Sequence, residues 1–329
     1  MTTVGAKDLT FDELPEGGRG CLANLWGPPG TPARYLGTLN HIDSTAILNG
    51  RAAAIQHGIS IGLNLPLDQL SPPAVGRTAL QHERKGLEGF SAMDDVYTVN
   101  PQQTSQWDAL HHWCHTSRKR TFDGLTQEQV LDKTRIQPPI LQTWAQRGIV
   151  ARGVLLDFAQ YAERHALPDF HPVESFAITM AHVRDMVREQ NVKFLPGDVL
   201  FIYQGFTRHH TSVYSDEERD KFAKHIATPT MPVAGLEQSE ALARFLWNNK
   251  ISAIVSDNLS VERFPPINSD WILHDLLLSS WGMPMGELFD LDELAKTCTR
   301  LQKFTFMLAS APFNYAGGLS SLANAVAIL

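Results

Sequence analysis

Three short apolar runs limit what this chain can fold into. Ile149–Leu156 is a nearly continuous apolar stretch around Gly153, Val199–Tyr203 follows a Pro196-Gly197-Asp198 turn, and Ile251–Val255 is the third. Each reads as a strand, the first and third as buried ones. Helical patterns are interleaved with them. Asp43–His57 opens on a capping Asp43 or Ser44 and stops at Gly58. Thr126–Asp132 and Ile140–Gln146 are short helices, the second ended by Gly148. Phe176–Glu189 is amphipathic, with Ser175 placed to cap it. Ser239–Asn248 and His274–Trp281 complete the set, the last stopped by Gly282 and Pro284. Ile59–Leu65 and Met93–Val99 read as further strands, and Leu301–Leu308 as the strand that closes the fold. Residues 66–90 are polar and contain proline, which predicts a loop or a long excursion. Residues 18–40, with the Gly27-Pro28-Pro29-Gly30 cluster, predict an extended arm rather than a packed element.

Strands and helices that intermix in this way predict an α/β or α+β chain with a mixed sheet. No repeat of fixed period and no clear linker divides it. The expected organisation is an N-terminal arm over residues 1–21 and a single domain over 22–329. With 329 residues, 43% of them hydrophobic and 19% charged, the chain can bury a full core.

The formal net charge of −7 argues against a nucleic-acid partner, which needs a basic face. The densest basic run, Arg118-Lys119-Arg120, reads as a solvated loop before it reads as a contact for a substrate anion. Cys21, Cys114 and Cys298 are far apart and form no CxxC pair, which argues against a disulfide framework and a cysteine-zinc site. Reduced thiols, an acidic start without an apolar h-region and no run of 18 apolar residues predict a cytoplasmic protein without a membrane span.

One stretch gathers chemistry: Gln102-Gln103-Thr104-Ser105-Gln106-Trp107-Asp108-Ala109-Leu110-His111-His112. In an extended chain Gln106, Asp108 and Leu110 share a side. Read alone, this fits a polar turn with a satisfied histidine as well as it fits a site. His274 and Glu287, thirteen residues apart, bracket a Trp-Gly-Met-Pro turn. Arg208-His209-His210 follows a strand end and fits an exposed loop or a group reaching a cleft. Asp257 and Glu262 fit lining or solvated carboxylates. Trp107, Trp113 and Trp281 fit core packing or an aromatic substrate. No phosphate loop and no Gly-x-Ser-x-Gly elbow is present.

The Gln102–His112 stretch resembles the His-x-Gly-Thr-His-x-Asp-x-x-x-His motif of the cyclase family of metal-dependent hydrolases, which includes kynurenine formamidases and isatin hydrolases. It matches in length, in Asp108 and in His112, and Trp107-Asp108-Ala109-Leu110 is similar to the long fungal and bacterial branch. Leu36–Asn40, Arg147–Asp157, Pro196–Leu200, Gly235–Ser239, Leu273-His274 and the block Trp281–Leu291 extend the resemblance along most of the chain. It implies a swivelling β/β/α fold with a mixed sheet, assembled as a homodimer or tetramer and acting on a small molecule. By position it implies Asp108, His274 and Glu287 as metal ligands and His112 as the general acid or base.

Gln102 and Gln106 stand where metal-binding histidines usually stand. A carboxamide oxygen is a neutral, weak ligand, so this oxygen-rich set suits Mn²⁺ or Mg²⁺ better than Zn²⁺; the expected cofactor is a divalent ion, Mn²⁺ or Zn²⁺, or none. The implied activity is metal-assisted hydrolysis of a small amide, lactone or imide, with Gln106 on the ion or donating to an oxyanion. The rival readings are a metal-free isomerase, cyclase or dehydratase on the same acid–base cluster, and a non-catalytic binding protein.

Overall fold

The computed structural model of the chain describes residues 5–70, 73–210, 215–226 and 231–329. Its strands, in chain order, are β1 Ser60–Gly62, β2 Gln81–Gly86, β3 Met93–Thr98, β4 Gln106–Asp108, β5 Ile149–Asp157, β6 Ala177–Ile178, β7 Val199–Tyr203, β8 Gly235–Leu236, β9 Ala253–Ser256, β10 Met285–Glu287, β11 Thr305–Ser310, β12 Ser320–Leu322 and β13 Ala325–Ile328. Nine of them form one mixed sheet in the order β1-β13-β11-β5-β7-β9-β10-β4-β12. The block β5-β7-β9-β10 is parallel. The strands outside it join antiparallel.

The three apolar runs are β5, β7 and β9 at the centre of this sheet. Val154, Leu155, Leu156, Val199, Leu200, Phe201, Ile202, Ala253, Ile254 and Val255 are all fully buried, which requires cover on both faces. The helix Ser44–Ala54, capped by Asp43 accepting the Ala46 N–H at 2.9 Å, packs against β5 and β11, and the helix Met180–Glu189 against β5. Arg152 interrupts the β5 run yet is only 8% exposed. It forks onto Asp198 in the turn before β7, Nε to Oδ1 at 2.8 Å and Nη2 to Oδ2 at 2.6 Å, and Leu195 N–H adds a bond to Oδ2 at 2.7 Å.

Four sequence expectations change. Residues 18–40 are packed, not an arm: Leu22, Trp26, Tyr35 and Leu39 are buried, and the Trp26 indole donates to the Trp281 carbonyl at 2.7 Å. Residues 66–90 contain β2, which pairs with β3 in a hairpin whose strand residues are all exposed, with Arg84 opposite Asp95 and Lys85 opposite Asp94. Cross-strand charge and backbone bonds hold it, so no apolar alternation announces it. The expected helix from Phe176 begins at Met180. Thr179 rather than Ser175 caps it, because Ala177–Ile178 is engaged as a strand with β8. Leu301–Leu308 does not close the fold: Asp292–Leu301 is a helix, β11 starts at Thr305, and β12 and β13 follow. Among the described residues no helix is long and apolar enough to cross a membrane.

Candidate functional site

The β4–β10 pair builds the site. Its register sets Gln106 opposite Glu287, Trp107 opposite Gly286 and Asp108 opposite Met285. Strand alternation then puts Gln106, Asp108 and Glu287 on one face and Trp107 on the other. There the fully buried Trp107 packs edge-on to Phe289, centroids 5.2 Å apart, and donates to Ser310 Oγ at 2.9 Å. Only glycine fits at 286: a Cβ would lie 2.8 Å from the Phe289 ring and 3.2 Å from Trp107. Gln102 comes from the turn Pro101–Gln103, whose start is capped by Asn100 accepting the Gln102 N–H at 3.0 Å. His112 follows β4 in a turn closed by its own N–H to the Ala109 carbonyl at 2.8 Å. His274 opens a π-helical segment, His274–Trp281, that ends on Gly282 at φ 74°. Such segments recur at functional sites.

All six residues singled out in the sequence converge. Gln102 Nε2 donates to Asp108 Oδ1 at 2.6 Å and lies 3.2 Å from His112 Nδ1. Gln106 Nε2 donates to Gln102 Oε1 at 3.0 Å and to Glu287 Oε2 at 3.2 Å. His112 Nε2 is 4.0 Å from Asp108 Oδ2, and His274 Nε2 is 3.7 Å from Glu287 Oε1. One ligand atom each of Asp108, His274 and Glu287 lie within 4.8 Å of one another. Two acceptors in this cluster, Asp108 Oδ2 and Gln106 Oε1, are buried without any hydrogen-bond partner.

Three neighbours complete the surroundings. Arg77 donates from Nη1 to the Gln102 carbonyl at 2.8 Å and from Nη2 to Gln102 Oε1 at 3.0 Å. Glu262, which the sequence allowed as a lining or solvated carboxylate, is buried and bonded to His274 Nδ1 at 2.6 Å. Trp113 lies tilted against the His274 ring, centroids 4.9 Å apart, and its indole donates to Asp275 Oδ1 at 2.7 Å. No spacing or periodicity in the sequence marks Arg77 or Asp275.

The electrostatics are those of a buried site with excess negative charge. Burial raises the Glu287 carboxyl, and the neighbouring Asp108 charge raises it further, to about 8. Burial pulls His274 down, but the Glu262 bond and charge, with Glu287 and Asp108, outweigh it and push the ring up to about 9. Burial lowers His112 against the opposing pull of Asp108.

Other candidates land elsewhere. Asp257 is fully buried, neither lining nor solvated, and accepts the Gln204 and Phe206 N–H groups at 2.7 and 2.8 Å. Arg208 and His209 line a separate cleft of about 670 Å³ with Asp157 and Tyr203, at the carboxyl ends of β5 and β7. Trp281 is core: it is fully buried and donates to the Gly18 carbonyl at 2.7 Å.

A buried, unpartnered carboxylate oxygen and amide oxygen are costly, about 1–3 kcal/mol each, unless something meets them. Here they belong to the same cluster as His274 Nε2 and Glu287. That donor set, mostly oxygen with one imidazole and no thiolate, fits a hard divalent cation. Gln102 differs from Gln106, because its Oε1 is already taken by Arg77 and Gln106.

Comparison with known proteins bears on the family and the fold. Residues 40–263 match the family described as "Putative cyclase". None of the curated proteins matches the sequence. The solved structure of a protein described as a novel cyclase superposes with a TM-score of 0.76 and 23% identity, over 92% of this chain and 98% of that chain. An isatin hydrolase bound to the product analogue thioisatinate gives 0.57 at 15% identity, over 88% of this chain and 99% of that chain. Isatin hydrolase A from Ralstonia solanacearum gives 0.56 at 12% identity, with 82% and 91% covered. At these identities the likeness is one of fold. The matched segment covers more than half of the sequence, and the chain belongs to the cyclase family, whose α/β fold with a mixed sheet it shares.

Proposed function

We propose that the chain is an enzyme that hydrolyses a small amide, lactone or imide with the help of a divalent cation, Mn²⁺ or Mg²⁺ in preference to Zn²⁺. The observation that carries this reading is the pair of buried, unpartnered oxygens, Asp108 Oδ2 and Gln106 Oε1, in the cluster with His274 and Glu287. Asp108, His274, Glu287 and Gln106 would hold the ion. Polarisation of a carbonyl and acidification of water are the chemistry that a bound cation supplies. The likeness to isatin hydrolases supports the choice of a cyclic or aryl amide-type substrate.

His112 is the acid–base residue in this reading. Its side chain keeps 23% of its surface exposed, so it can reach a substrate. The Gln102 amide is oriented by Asp108 on one side and Arg77 on the other, so its N–H points at His112 Nδ1. The proton of the neutral ring then rests on Nε2. In this reading the neutral ring first takes a proton from water, and the imidazolium so formed returns it to the leaving nitrogen or oxygen. Of the three tryptophans, Trp113 is the one left to meet an aromatic substrate, being half-buried beside His274.

The test is turnover of a panel of aryl formamides, lactones and cyclic imides by Mn²⁺-loaded protein, with His112→Ala alongside. The expected result is hydrolysis of at least one class, lowered about 10²–10⁴-fold in the variant with its metal content intact. Metal-loaded protein that turns over none of the panel contradicts the proposal. A homodimer or tetramer is part of the same reading. The hairpin's exposed Phe90 and Met93, 73% and 83% accessible, support it, and a monomer in light scattering contradicts it.

A further inference from the structure

We propose that Glu262 is the residue that positions His274, fixing which imidazole nitrogen faces the cluster. The inference rests on the reading that Asp108, His274 and Glu287 take a cation. Glu262 is 1% exposed and is ion-paired with His274. Four N–H donors converge on it. Leu273 N–H and Gln238 Nε2 reach Oε2 at 2.8 and 2.7 Å, and His274 N–H and His274 Nδ1 reach Oε1 at 2.9 and 2.6 Å. Hydrogen bonds of this number and kind favour the ionised carboxylate, which can only accept.

The consequence falls on His274. Nδ1 must be the donor to Glu262, so Nε2 is the nitrogen left for Glu287 and Asp108. Backbone and ring of His274 are tied to the same Oε1 atom, so the start of the π-helical segment and the imidazole are held as one unit. Trp113, itself anchored on Asp275, limits ring rotation from the side. An outer carboxylate that orients a metal-binding imidazole typically controls 10–100-fold in metal affinity. His274 comes from a different element than β4 and β10, and Glu287 of β10 stands 3.7 Å from its Nε2, beyond hydrogen-bond reach.

The experiment uses the full chain and two readouts. Mn²⁺ binding is titrated by electron paramagnetic resonance in wild type, Glu262→Gln and Gln238→Ala. The His274 ring N–H groups are followed by ¹⁵N-resolved NMR in metal-free protein. Glu262→Gln sets an amide N–H against donors already in place and is expected to weaken Mn²⁺ binding about 10–100-fold. Gln238→Ala removes one donor without touching His274 and serves as the structural control, expected to change affinity less than about three-fold. The wild-type spectrum should show a strongly hydrogen-bonded, downfield His274 Nδ1–H that Glu262→Gln loses. Affinity unchanged in Glu262→Gln, or no such N–H in wild type, overturns the inference. If wild type takes up no cation, the proposed function fails while the NMR arm still decides the role of Glu262. That arm needs only wild-type protein, so it also decides if the variant does not fold.

Discussion

Asp198 and Asp108 are the same residue at the same depth, 1% and 0% exposed, and they sit in opposite situations. Asp198 has a guanidinium forked across both oxygens and a backbone N–H besides. Asp108 has amide donors on Oδ1 and nothing on Oδ2. A buried carboxylate needs counter-charge or donors to offset its desolvation. Where β5 supplies Arg152, the need is met inside the chain and the result is structure. Where the neighbours are two glutamines and histidines, the need stays open, and in the proposed function a cation from outside meets it.

The comparison can be broken at either end. The largest expected effect is on Asp198→Asn, which leaves Arg152 buried without its partner. Chemical denaturation should show a loss of about 3–5 kcal/mol, and a loss below about 1 kcal/mol would remove Asp198 as the structural case. Asp108→Asn should do the reverse. Mn²⁺ affinity, measured by calorimetry, should fall at least about 100-fold, since a direct ligand matters no less than an outer one. The stability of the metal-free protein should move by no more than about 1 kcal/mol, because the Gln102 bond survives on Asn Oδ1.

Gln102→His with Gln106→His sharpens the comparison. Imidazole in place of amide should move the Zn²⁺-to-Mn²⁺ preference toward Zn²⁺ by about ten-fold in a competition assay. An unchanged ratio would mean that neither position faces the ion.

The smallest effect concerns His111, beside His112 in sequence but buried. Burial lowers its pKa to about 4, against the pull of Asp123. A histidine with a lowered folded-state pKa loses stability as pH falls from its unfolded value, about 6.5, toward about 4. Between pH 7 and pH 5.5, wild type should lose about 1 kcal/mol relative to His111→Gln. Parallel stability curves would show that the ring is not held neutral.

The central strands were legible because Ile149–Leu156, Val199–Tyr203 and Ile251–Val255 carry their burial in composition. Strand alternation also foretold that Gln106 and Asp108 share a face, while Trp107 was left open between core packing and an aromatic substrate. The arm at residues 18–40 was misread because glycine and proline outweighed Leu22, Trp26 and Tyr35, whose partners lie far along the chain. β2 was missed because Gln81-His-Glu-Arg-Lys-Gly has no apolar face to show. Arg77 was illegible as a site residue, and Glu262 was read as a lining or solvated carboxylate without its partner, for a related reason. Arg77 meets Gln102 across 25 positions, and Glu262 acts only through an imidazole whose placement depends on a separate helix. A single charged residue in a polar segment carries no period.

The measurement that bears most directly on the central claim is the metal content of wild-type protein purified without chelators or a histidine tag, before and after incubation with Mn²⁺, Mg²⁺ or Zn²⁺. The account predicts uptake of about one divalent ion per chain that Asp108→Asn abolishes. No uptake of any of the three ions, or uptake that Asp108→Asn leaves intact, would contradict it and turn the reading of Asp108, His112, His274 and Glu287 toward metal-free acid–base chemistry.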